Sequence, residues 1–184
     1  MTPRRLIPLA ALFLTAALAA ACAAINIGSF VERGFDMSVV RTFEWAPAEH
    51  LATGDPRLDN NEFFQRYLKA AVERELMTRG IERVEAGMAD VVVHYHASVT
   101  QRVDTAGADE KYGLCEDCRP SVFDAGTLTL DLVDAGTSRL VWRGWAERSI
   151  QGVLESQSQM ERDVDAAVSV ILARLPAPLR IAER

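Results

Sequence analysis

The chain has 184 residues, of which 26 are Asp or Glu and 20 are Lys or Arg, for a net charge of −6. That acidity excludes nucleic acid and anionic lipid surfaces as partners, since both require a basic footprint. The length suits one ordinary domain with room for a real core.

Residues 1–21 read as a secretion signal. Arg4 and Arg5 open it, and an apolar run from Leu6 to Ala21, interrupted by Pro8 and Thr15, ends in Ala19-Ala20-Ala21-Cys22. The run falls short of the ~20 residues needed to cross a hydrocarbon core as a helix, so cleavage is expected. Its end resembles the lipobox of bacterial lipoproteins, in which the cysteine becomes the first mature residue and bears the lipid. Ala19 stands where that motif usually has Leu, which leaves a plain secretory signal cut after Ala21 as the alternative. By the same resemblance, Ala23 in place of Asp implies sorting to the outer membrane, with the domain in the periplasm. Several acyl chains on Cys22 exceed the two-signal threshold for stable anchoring. Cleavage removes 21 residues to leave 163, and loss of Arg4 and Arg5 moves the net charge from −6 to −8.

Residues 22–38 read as a lipidated tether. A first strand is expected over Val39–Trp45, stopped by Ala46-Pro47, and Gly54-Asp55-Pro56-Arg57 is turn chemistry. A helix starts near Asp59 or Asn60, with Phe64, Leu68, Ala71, Val72 and Leu76 on one stripe. Gly80 closes it where a left-handed residue is wanted, and Ile81 follows as a hydrophobic clasp. Three alternating runs come next. Val91, Val93, Tyr95, Ala97 and Val99 share one face of the first, and Leu128, Leu130 and Leu132 one face of the second. Leu140, Trp142 and Ala146 share one face of the third, and Asp134-Ala135-Gly136-Thr137 marks a hairpin before it. The segment 104–125 reads as a polar loop. Ser158-Gln159-Met160-Glu161 is a capping-box pattern that opens a last helix, with Met160, Val164, Val168 and Ile171 on one face and Pro176 at its end.

The order β-α-β-β-β-α predicts an α+β fold over residues 39–176, with 177–184 as a C-terminal tail. Its sheet is four-stranded and mostly antiparallel, with both helices packed on one face. The opposite face then presents Thr42 and Glu44, Val92, His94 and His96, Thr127, Thr129 and Asp131, and Val141, Arg143, Trp145 and Glu147. Arg143, Trp145, His94 and His96 form the candidate partner face there. Trp145 is either an anchor for a protein contact or a residue covered by the 104–125 loop.

Several segments together carry a family resemblance. They are Phe35-Asp36-Met37-Ser38, Thr42-Phe43-Glu44-Trp45, Asp55-Pro56-Arg57, Leu76 with Gly80, and Ala89 to His96. Gly126-Thr127-Leu128 followed by Leu140-Val141-Trp142-Arg143-Gly144 is the most specific part. Across residues 35–176 the chain resembles the bacterial lipoprotein family called domain of unknown function 4136. The resemblance implies an envelope lipoprotein with a small α+β domain, and brings no reaction or catalytic residue with it.

Cys115-Glu116-Asp117-Cys118 has redox spacing, but its acidic neighbours disfavour a thiolate. A structural disulfide between Cys115 and Cys118 in an oxidising compartment is the expectation. His94 and His96 point to one face of a strand, and with the two cysteines would make a tetrahedral metal set of unrecognised spacing. No nucleophile elbow, metalloprotease helix, phosphate loop or dinucleotide fingerprint occurs. The expectation is therefore a non-enzymatic lipoprotein without cofactor or metal, held to the membrane by its lipid and binding an envelope protein. The alternatives are a carrier or sensor of a small apolar ligand held between sheet and helices, and a metal or thiol-redox protein using His94, His96, Cys115 and Cys118.

Overall fold

The computed structural model describes residues 26–47, 53, 55–59, 61–104 and 121–176. The signal, Cys22, Cys115 and Cys118 lie outside the described residues. The elements are β1 (Asn26–Val31), β2 (Thr42–Trp45), α1 (Glu62–Thr78), β3 (Glu82–Arg83), β4 (Val91–Asp104), β5 (Ser121–Asp134), β6 (Leu140–Ser149) and α2 (Gln157–Leu172). Short 3₁₀ turns at Met37–Val39 and Val153–Glu155 precede β2 and α2.

The sheet has six strands in the order β1-β6-β5-β4-β2-β3, and it is mixed. This corrects the expected four-stranded, mostly antiparallel sheet. β4, β5, β6 and β1 pair antiparallel in succession, whereas β2 is parallel to both β4 and β3. The parallel pairing follows from α1, which carries the chain from β2 across to β4 as a crossover helix. Asp90 holds the entry to β2 in place, accepting from the backbone N–H of Arg41 at 2.8 Å and of Thr42 at 2.9 Å. The segment expected to be only a tether supplies β1, a short strand whose side chains are mostly exposed. It escapes the sequence pattern because an edge strand buries too little to impose clean alternation. β3 has two residues and both are exposed, so it left no pattern at all. The expected polar loop is shorter too, because β4 continues to Asp104 and β5 begins at Ser121.

Both helices cover one face of the sheet. The α1 stripe of Phe64, Leu68, Ala71, Val72 and Leu76 is buried throughout. Asn61 caps the helix by accepting from the Phe64 N–H at 3.0 Å, one residue beyond the expected start. At the other end Gly80, at φ +75°, lets the Ile81 N–H reach back to the Leu76 carbonyl at 3.1 Å. α2 begins at Gln157, so Ser158 lies inside the helix and the expected capping box does not form. The helices are tied by Asp165, which accepts from Tyr67 Oη at 2.9 Å and from Arg74 Nη2 at 2.7 Å. No described helix is long and apolar enough to cross a membrane.

Beneath the helices, Phe43, Val91, Val93, Leu130, Leu132 and Trp142 form the floor of one continuous core. Gly144 makes room for the largest of them. A Cβ there would lie 2.4 Å from the Trp142 ring and 2.7 Å from Ile171. A bulge between Leu132 and Val133 sets Val133 opposite Leu140 and leaves Val141 as the extra residue. Leu140 therefore leaves the helix-covered face, and Val141, expected on the open face, is buried.

Candidate functional site

The face of the sheet away from the helices is built from rows that run across four strands. One row is His94, Asp131, Arg143 and Phe30, and the next is His96, Thr129, Trp145 and Gly28. The four residues singled out from sequence, His94, His96, Arg143 and Trp145, thus share one surface. Alternation at period two places them there, since each is an even step from its strand neighbours on that face.

Asp131 is the electrostatic centre of the surface. It is buried, and Arg143 grips it with two bonds, Nε to Oδ1 at 2.7 Å and Nη2 to Oδ2 at 2.6 Å. This bidentate pair raises the Arg143 pKa above its usual value, and it fixes the guanidinium plane across the two strands. His96 Nε2 lies 3.8 Å from Asp131 Oδ2, beyond a hydrogen bond. Glu147, one row beyond Trp145, is held by Arg102 at 2.7 Å and by the Thr127 hydroxyl at 3.2 Å. The charges of the face are largely cancelled within it.

Trp145 is half-buried because β1 lies beneath its ring. A Cβ on Gly28 would meet the indole at 2.1 Å, so only a glycine lets the ring settle on the strand. Phe30, diagonal to Trp145 on the same face, is 47% exposed. Gly28 and Phe30 belong to the strand that sequence reasoning missed. Their signal was the short segment Ile27-Gly28-Ser29-Phe30-Val31, with three apolar residues broken by Gly and Ser and too brief to separate from a linker.

The arrangement offers contact area and fixed polarity. Among the described residues no group of three or more His, Cys, Asp or Glu side chains is close enough to hold a metal ion. The carboxylate most central to the face is held on both of its oxygens by Arg143.

The family model described as "Domain of unknown function (DUF4136)" matches residues 29–177, most of the chain, and the chain belongs to that family. No curated protein matches the chain. Among solved structures, a PDZ domain protein from Parabacteroides distasonis superposes with a TM-score of 0.55 at 15% identity. That match covers 91% of this chain but 40% of the other, so the chain spans well under half of that protein, and the likeness is one of fold. A PelC dodecamer from Paraburkholderia phytofirmans matches with a TM-score of 0.44 at 13% identity, covering 81% of this chain and 95% of that one. A putative neuraminyllactose-binding hemagglutinin homolog from Helicobacter pylori matches with a TM-score of 0.43 at 15% identity, over 73% and 84% of the two chains.

Proposed function

We propose that this member of the domain of unknown function 4136 family is a non-enzymatic lipoprotein of the outer membrane. It is anchored through Cys22, faces the periplasm, and binds another envelope protein through the open face of its sheet. The observation that supports this most is that Trp145 and Phe30 both lie beside an immobilised Arg143 on a face that neither described helix covers. Aromatic and arginine side chains are the types enriched where protein contacts concentrate their energy. A guanidinium already locked by Asp131 loses little further freedom on binding.

Two measurements test the two halves of the proposal. The intact mass of the mature protein should exceed that of unmodified residues 22–184 by several acyl chains. Cys22→Ser should abolish the excess and move the protein from membrane to soluble fractions. A wild-type mass equal to the bare polypeptide would end the lipoprotein reading. For the face, in-cell crosslinking and affinity purification of wild type and Trp145→Ala should yield a crosslinked species in the first that is lost in the second. Trp145 is only half-buried, so stability should move by about 1 kcal/mol or less. An unchanged set of crosslinked partners would remove this face from consideration.

A further inference from the structure

A pocket opens between the sheet and α2, at the end of the core where the side chains become small. Ala97 on β4, Ala146 on β6 and Ala167 on α2 stand where larger residues would fill the layer, and together they leave a cavity of about 80 Å³, whereas Gly126 on β5 is covered by Ile150. The deeper walls are Phe64, Leu128 and Val164, all buried hydrophobics. The charged groups that line it, Arg148 and Asp163, are paired to each other at 2.6 Å and are both largely buried. Asp163 accepts a further bond from Gln159 at 3.2 Å. The rim is thus neutral, and its acid is already supplied with donors.

Such a space does not suit water. A buried water needs several polar partners, and this wall offers one spare donor, the buried Arg148 Nε, which has no hydrogen-bond partner among the described residues. The volume is several times the ~10–15 Å³ that one water requires, and about half of the ~150 Å³ that admits a benzene ring. A narrow, flexible hydrocarbon therefore fits better than a ring, with its first carbons inside and the rest leaving through the open side. We propose that this pocket takes the end of an unbranched acyl chain.

The location favours the same chemistry. β1 runs antiparallel to β6, and Asn26 pairs with Glu147, between the pocket-lining residues Ala146 and Arg148. Three residues lie between Cys22 and Asn26, so the four Cα-to-Cα steps span at most about 14 Å of extended chain. If Cys22 bears the lipid, as the anchored reading holds, the pocket lies at the end of the sheet tethered to the membrane. The chain then comes either from the protein's own lipid or from a separate lipid molecule.

Binding is tested with the purified full chain carrying Cys22→Ser, which removes the protein's own lipid as a competitor. The linear polyene fatty acid cis-parinaric acid, followed by its fluorescence, should bind saturably and be displaced by 1-dodecanol. Ala167→Leu fills the cavity from the helix side, and Ala97→Val narrows it from the sheet. Either should weaken binding at least tenfold while the circular dichroism spectrum stays that of the parent. Saturable binding unchanged in a folded filled variant, or no saturable binding by the parent, would overturn the proposal. Wild-type protein with Cys22 intact identifies the source. Weaker uptake of the probe than by Cys22→Ser assigns the site to the protein's own lipid, and equal uptake assigns it to a separate one. The intact-mass measurement decides lipidation independently, so failure of the pocket and failure of the anchor are read from different experiments.

Discussion

Trp142 shows how much of the fold rests on a single side chain. It has no solvent exposure, and it lies against Gly144 and Ile171 at the junction of sheet and α2. Truncation there removes a large apolar body from a site that cannot collapse, because the glycine beside it has no side chain to move in. Trp142→Ala should cost about 3–5 kcal/mol in urea unfolding. The indole Nε1 is buried and has no hydrogen-bond partner among the described residues. Trp142→Phe removes that unpaired donor along with some volume, so it should cost distinctly less than the alanine variant. Near-equal losses would mean that the polar atom is satisfied and that shape alone does not account for the site.

At the level of elements, the long periodic segments were legible and the edges were not. The α1 stripe, its Gly80 stop, and the alternation of Val91, Val93, Leu130 and Leu132 declare themselves because each buries one complete face. β1 and β3 bury almost nothing, and their existence depends on neighbours far away in sequence. The same limit hid half of the candidate site. His94, His96, Arg143 and Trp145 could be assigned to one face by counting in twos, but Phe30 and Gly28 required β1 to be known. The bulge at Val141 broke the count locally, because one extra residue sends Leu140 to the other side. The role of Gly28 gives a direct prediction about β1. Gly28→Val would drive a side chain into the Trp145 ring, where even a Cβ lies at 2.1 Å. Since β1 is an edge strand, the strain should be released by loosening it rather than by unfolding the core. Amide exchange should accelerate across Asn26–Val31 while Val91, Leu130 and Trp142 stay protected. A loss of about 1–3 kcal/mol is expected, as for overpacking elsewhere. Unchanged exchange in β1 would show that the indole simply swings away.

The whole molecule should be acid-sensitive, and the sign follows from four aspartates. Asp36 is held below the usual carboxylate range by hydrogen bonding with Ser38, Asp55 by the Arg57 side chain, Asp90 by the backbone N–H of Arg41, and Asp134 by Thr137. In the unfolded chain each returns to an ordinary value near 3.9. Between the folded and unfolded values the unfolded state binds more protons, so stability rises with pH there. The contribution is complete above the unfolded value and is lost as pH falls through the folded ones. Each of the four holds a turn or a strand entry, and Asp90 is the one that joins the start of β2 to the approach to β4. Urea midpoints should be flat from about pH 7 to 5 as far as these groups are concerned, and should fall below about pH 4. Asp90→Asn keeps an acceptor for the Arg41 and Thr42 N–H groups but removes the titration. Its unfolding midpoint should be lower at neutral pH, since bonds to a charged acceptor are the stronger ones, and should fall less between pH 5 and pH 3. A parallel fall in wild type and variant would transfer the acid sensitivity to the other three carboxylates.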